Sequence, residues 1–125
     1  MHIEQLTTQV SASDQISVDD VKELADMGVE LLVCNRPDFE DEGQTKFEDI
    51  AKEAQAHGMT PILLAFSSYQ ITSDDRDEFI KLIETRKRIH SYCRSASRSK
   101  RLWREANSVV GGEEAYNEKI VEGDS

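Results

Sequence analysis

A chain of 125 residues with 38% apolar and 32% charged residues suits one small domain with a single core and a heavily charged surface. A net charge of −10 argues against a general nucleic-acid binder, and no apolar run approaches the roughly 20 residues that cross a bilayer. The opening Met1-His2-Ile3-Glu4-Gln5 lacks the features of a signal peptide, so a cytoplasmic protein is expected, with Cys34 and Cys93 reduced rather than bridged.

Taken in order, Ile3 to Leu6 and Val10 to Ala12 read as short strands near a sheet edge. Ser17 caps a helix whose first turn carries Asp19 and Asp20, whose apolar stripe is Val18, Val21, Leu24 and Ala25, and which ends at Gly28. The continuous apolar run from Val29 to Cys34 predicts a buried strand, broken by Asn35-Arg36-Pro37-Asp38 and an acidic loop to Gly43. A second helix spans Thr45 to His57, with Phe47, Ile50, Ala51 and Ala54 on one face. Thr60 to Phe66 reads as another buried strand, with Pro61 at its tolerant start. After a loop, Ser73 caps a third helix, with Asp74, Asp75, Asp77 and Glu78 at its positive end and Phe79, Ile80, Leu82 and Ile83 inward. Arg88 to Tyr92 is only weakly strand-like. A fourth helix starts near Arg98, places Leu102, Trp103 and Ala106 on the core side, and stops at Gly111-Gly112. Glu113 to Val121 suggests a short fifth helix. The expected domain is residues 1–121, followed by a frayed tail at 122–125.

Strands alternating with helices imply an α/β domain with a mainly parallel central sheet flanked by helices. Ligands of such sheets sit at the carboxyl ends of the strands. There the loops after Cys34, Phe66 and Tyr92 gather.

The last of these loops carries the chemistry. In Tyr92-Cys93-Arg94-Ser95-Ala96-Ser97-Arg98-Ser99, a cysteine stands where a strand ends and a helix begins. The free N–H groups and positive dipole of a helix start favour a thiolate and any bound oxyanion. Arg98 adds a planar fork for two oxygens of a phosphate- or sulfate-like group. Between Thr85 and Arg104 there are eight basic residues and no acidic one, an island that draws small anions. Cysteine, turn and arginine are the parts of an anion-binding loop that attacks what it binds.

With that order established, the chain resembles the small bacterial family described as beta-lactamase-hydrolase-like, protein-phosphatase-like domains. The likeness rests on Ile3-Glu4-Gln5-Leu6-Thr7, Gln15-Ile16-Ser17, Asn35-Arg36-Pro37-Asp38, Ile71-Thr72, Tyr92-Cys93-Arg94-Ser95, Arg98-Ser99 and Leu102-Trp103. The resemblance implies a dual-specificity-phosphatase-like fold, a nucleophilic Cys93 and an oxyanion-binding Arg98. Members are also described as sulfurtransferases, because their cysteine loop resembles that of rhodaneses. Two departures stand out. Ala96 replaces a usual glycine, at a turn where positive φ brings backbone N–H groups to the anion. Four residues separate Cys93 from Arg98, one fewer than in tyrosine phosphatases.

Three functions follow as expectations. In a phosphatase-like hydrolase, Cys93 attacks phosphorus, Arg98 and the loop from Arg94 to Ser97 hold the oxygens, and Ser99 donates to the sulfur so that it leaves again. The loop Ser67-Ser68-Tyr69-Gln70 offers no general acid; Asp38 or Asp74 could substitute, although each also fits a turn or helix-start role. In a sulfurtransferase, Cys93 carries a persulfide from a donor such as thiosulfate and no acid is needed. In the third, the loop is a non-catalytic anion binder or a redox sensor. Arg36 enters the same edge, as a ligand contact or as an ion-pair partner of Asp38 or Glu40. Cys34 reads as a small buried hydrophobe, with a Cys34–Cys93 bridge open to it if the strand ends adjoin. His57 suits a helix end, and His90 reads as structural, with tuning of Cys93 the alternative. Trp103 reads as packing. His2, His57 and His90 show no metal-ligand spacing, so neither metal nor cofactor is expected; the partner is a small anionic substrate, a phosphate ester or a sulfur donor.

Overall fold

The computed structural model describes residues 1–67 and 70–109. Five strands and four helices alternate: β1 (Ile3–Gln5), β2 (Val10–Ser13), α1 (Val18–Asp26), β3 (Leu31–Cys34), α2 (Phe47–Ala56), β4 (Thr60–Leu63), α3 (Ser73–Glu84), β5 (Ile89–Tyr92) and α4 (Ser97–Val109). They build one sheet in the order β1-β2-β5-β3-β4, in which only β1 runs antiparallel to its neighbour. The expected α/β architecture with a mainly parallel sheet is what forms.

Alternation along the central strands sends side chains to two cores. Leu32, Cys34 and Tyr92 join Ile16, Val21, Leu24, Ile50 and Ala54, so α1 and α2 cover one face. Leu31, Val33 and Ile89 join Val10, Phe79, Leu102 and Ala106, so α3 and α4 cover the other. Burial on both faces explains the uninterrupted apolar run of β3. Phe79 is fully buried where α3 meets this second core. Phe79→Ala is expected to cost about 3–5 kcal/mol through lost burial and a cavity, read as a lower urea midpoint with an unchanged slope.

Several boundaries differ from the sequence expectations, each for a physical reason. Strands β1 and β2 lie near a sheet edge as expected, but β2 is fully buried, because β1 takes the edge and covers it. The reverse holds for β4. It is not a buried strand to Phe66 but a four-residue edge strand ending at Leu63, which is 55% exposed. Pro61 is tolerated at that edge because one side of the strand has no ladder to complete. The weak stretch before Cys93 is the central strand β5, pairing with both β2 and β3. Its polar His90 and Ser91 disguise it. Helix α3 is capped by Thr72 rather than Ser73, in a reciprocal box with Asp75: Thr72 Oγ1 accepts from Asp75 N at 3.1 Å and Asp75 Oδ2 accepts from Thr72 N at 3.2 Å. Leu102 and Ala106 are buried as expected and Trp103 is half-buried. The Gly111-Gly112 stop, the fifth helix and the tail at 122–125 lie outside the described residues.

Among the described residues no helix is long and apolar enough to cross a membrane.

Candidate active site

Parallel strands β5 and β3 lie side by side, and the chain leaves both at the same edge. Cys93 follows β5 directly and is fully buried. Its N–H donates to Ser13 O at 3.4 Å, Gln15 N donates to Arg94 O at 3.3 Å, and Asp14 bridges Ser95. The start of the cysteine loop is therefore stitched to the β2–α1 connection. The loop closes at Ala96, whose φ of +75° lies in the left-handed region. Alanine pays for this turn with backbone strain that glycine would avoid. Helix α4 then begins at Ser97, and Lys100 N bonds back to Ala96 O at 2.9 Å. Ser95 and Ser97 share a hydroxyl hydrogen bond of 2.8 Å across the turn.

Arg98, one residue into α4, folds back over the edge. Its Nη1 donates to Phe66 O at 2.9 Å and to Glu40 Oε2 at 2.8 Å, and its Nη2 donates to Glu40 Oε1 at 2.7 Å. This two-pronged pair is the strong form of guanidinium–carboxylate contact. The guanidinium of Arg98 beside Glu40 is the main reason that its carboxyl sits below the usual range, with Arg36 adding to it. Ser99 does not point at sulfur: its hydroxyl donates to Asn35 Oδ1 at 2.8 Å, while Asn35 Nδ2 donates to Leu64 O at 2.8 Å. Ser99 and Asn35 thus tie α4 to the ends of β3 and β4.

Arg36 is buried, and each of its three nitrogens donates. Its Nε donates to Glu40 Oε1 at 2.9 Å, its Nη2 to Asp41 Oδ2 at 2.7 Å, and its Nη1 to Gln15 Oε1 at 3.0 Å. Of the two partners expected for it, Glu40 is found and Asp38 is not. Asp38 instead accepts from Phe47 N at 2.9 Å and so caps the start of α2. Asp74 is an exposed first-turn residue of α3. Arg94 is exposed, with its Nε 3.4 Å from Asp41 Oδ2.

Cys34 and Cys93 are free thiols. Cys34 donates to Arg36 O at 3.2 Å, and burial pushes its thiol up, as expected of a buried hydrophobe. Tyr92 Oη is buried beside it.

His90 is held structurally. Ser13 Oγ donates to Asp14 O at 2.9 Å. Its one proton used, it accepts from His90 Nε2 at 2.8 Å, which leaves Nδ1 to accept from Ser11 Oγ at 2.8 Å. Burial drives the imidazole down to about 4. The sign follows: the unfolded chain takes up a proton near pH 6.5 that the folded chain refuses until about pH 4. Stability present above pH 6.5 is therefore lost as pH falls through that window, by about 3 kcal/mol in all. Urea midpoints at pH 7, 6, 5 and 4.5 are expected to fall more steeply for the native chain than for His90→Asn, by one proton's slope.

The structure places Cys93, Arg94, Arg98 and Arg36 at one edge. Sequence reasoning missed Glu40 as the partner of Arg98, Asn35 as the partner of Ser99, and the two serines around His90. The acidic stretch after Pro37 is the local signal for Glu40, which the sequence offers to Arg36 but which the structure gives to Arg98 as well.

The sequence profile of a family described as the beta-lactamase hydrolase-like protein, phosphatase-like domain matches residues 2–109. No curated protein matches the chain. Among solved structures, a candidate phosphatase from Neisseria meningitidis Z2491 is 29% identical, with 79% of this chain and 71% of that one covered and a TM-score of 0.72. A candidate phosphatase of the DUF442 group from Shewanella putrefaciens CN-32 is 16% identical over 88% of this chain and 69% of its own, with a TM-score of 0.75. The catalytic domain of the PP-IP phosphatase SIW14 from S. cerevisiae, in complex with citrate, is 13% identical over 75% of this chain and 56% of its own, with a TM-score of 0.57. The last two likenesses speak to fold, and it is a phosphatase fold.

Proposed function

Because the chain belongs to the beta-lactamase hydrolase-like, phosphatase-like domain family, we propose that it is a cysteine-dependent phosphatase acting on small phosphorylated substrates. The observation that carries this reading is the placement of Cys93 at the carboxyl end of the central strand, with the Arg98 fork folded over the same edge.

Cys93 sulfur attacks phosphorus and the bond to the leaving oxygen breaks, giving an S–P intermediate. Arg98 and the N–H groups of the cysteine loop hold the equatorial oxygens as charge builds on them. Water then attacks phosphorus, the S–P bond breaks and inorganic phosphate leaves. Ser99, bonded to Asn35, fixes the pitch of α4 and with it the aim of Arg98. The leaving oxygen needs a proton unless it is already a stable anion. Asp38 is occupied as a cap, and Glu40 is held ionised by Arg98 and Arg36. Aryl phosphates, whose phenolate leaves without help, are therefore the favoured substrates. Turnover of an aryl phosphate is expected to exceed that of an alkyl phosphate by about 100-fold, the scale of one missing acid.

Intact-mass spectrometry after separate incubation with an aryl phosphate and with thiosulfate tests the reading. A phosphoryl adduct on Cys93 with phenol release supports it. A sulfur adduct formed from thiosulfate, with no phosphoryl adduct, overturns it in favour of sulfur transfer, which the four-residue spacing and the lack of an evident acid favour but to which none of the comparisons points. Neither adduct, with anion binding intact, would leave a binding or sensing role.

A further inference from the structure

Five side chains of alternating charge run across the mouth of the site in the order Arg98, Glu40, Arg36, Asp41, Arg94. The links are 2.7 Å from Arg98 to Glu40, 2.9 Å from Glu40 to Arg36, 2.7 Å from Arg36 to Asp41, and 3.4 Å from Asp41 to Arg94. Glu40 and Asp41 are consecutive, so two neighbouring carboxylates straddle one arginine and reach a second and a third. Arg36 cannot go without such partners: its side chain is 3% exposed, and a buried guanidinium stripped of its anions is strongly destabilising. Arg98 is nearly as enclosed, at 10%.

We infer that the loop carboxylates hold the places of two anionic groups of a ligand, and that the substrate class of this site carries two adjacent anions, such as a diphosphate or a phosphate beside a carboxylate. The inference rests on the reading of the Cys93 loop as an anion cup and deepens it. A lone phosphate that displaced Glu40 would satisfy Arg98 but leave Arg36 short of its bidentate surroundings. A ligand with two neighbouring anions replaces both carboxylates at once, one at the cup beside Arg98 and the other between Arg36 and Arg94. Phe39, the residue before Glu40, is 80% exposed and sits at a φ of +67°, a region that bulky side chains avoid.

Calorimetric titration of the full chain at fixed ionic strength with inorganic phosphate and with methylenediphosphonate, which cannot be hydrolysed, tests this without turnover. The diphosphonate is expected to bind about 30-fold more tightly than phosphate. Arg94→Gln, at a side chain 66% exposed, is expected to shrink that ratio to about threefold, whereas Lys81→Gln, the same charge loss on α3 at a side chain 70% exposed, is expected to preserve it. Asp41→Asn, which weakens the internal competitor, is expected to tighten the diphosphonate by about tenfold, as relief from a dominant closed state predicts. A ratio near one, or an equal fall in the ratio for Arg94→Gln and Lys81→Gln, overturns the two-anion class while leaving the cup reading intact. Weaker diphosphonate binding by Asp41→Asn shows the loop to be a brace for the arginines rather than a stand-in, and overturns the inference too. Absence of binding by either anion removes the cup reading and this one together.

Discussion

Cys93→Ser is expected to lower turnover of an aryl phosphate by a factor of 10,000 or more, because the reaction proposed here passes through a bond to that sulfur. A hydroxyl in the same place keeps the volume and the hydrogen-bonding capacity. It does not supply an anionic nucleophile at neutral pH, since nothing in the loop is a base positioned to take its proton. Inorganic phosphate should still bind the variant, because Arg98 and the loop backbone are unchanged. Stopped-assay phenol release and phosphate titration on the same preparation check both halves. Retained turnover would remove Cys93 from the chemistry; lost phosphate binding would show instead that the substitution had collapsed the cup.

Arg98→Lys is the second large effect, an expected loss of about 100- to 1000-fold in kcat/KM. That is the scale of removing one aimed donor from a transition-state site. The charge is conserved, but an ammonium cannot make the two parallel bonds that Arg98 makes to Glu40, nor hold Phe66 O at the same time. The same substitution is expected to unsettle the loop from Pro37 to Gln44, since Glu40 would then be tied chiefly to Arg36. Faster amide exchange confined to that loop, with the sheet unchanged, is the structural signature. Unaltered kcat/KM in the lysine variant would show that the charge suffices and the fork does not matter.

How far each feature could be read from sequence depended on whether its cause was local. The first three helices announced themselves because acidic first turns and apolar spacing are properties of neighbouring residues; Ser17 and the stripe from Val18 to Ala25 are the plainest case. The Cys93 loop was legible for the same reason: a cysteine, a short turn and an arginine stand within six consecutive positions. Strand rank was not legible. Strands β2 and β5 look modest in isolation, yet both are fully buried, because the sheet order places each between two neighbours. Conversely β4 reads as core and turns out to be an edge.

The division at the site follows the same line. By itself the sequence determined an α/β domain, a cysteine at a strand-to-helix turn, and arginines on one loop edge, all consequences of short-range pattern. Only the tertiary structure decided what those arginines grip. Glu40 lies 58 residues from Arg98 and Asn35 lies 64 from Ser99, and no periodicity links residues so far apart. Parallel strands bring the carboxyl ends of β3 and β5 together, and that juxtaposition turned an acidic loop into the counter-ion of the cup. Asp38, by contrast, meets Phe47 N only nine residues on, because a carboxylate near the free N–H groups of a helix start satisfies them.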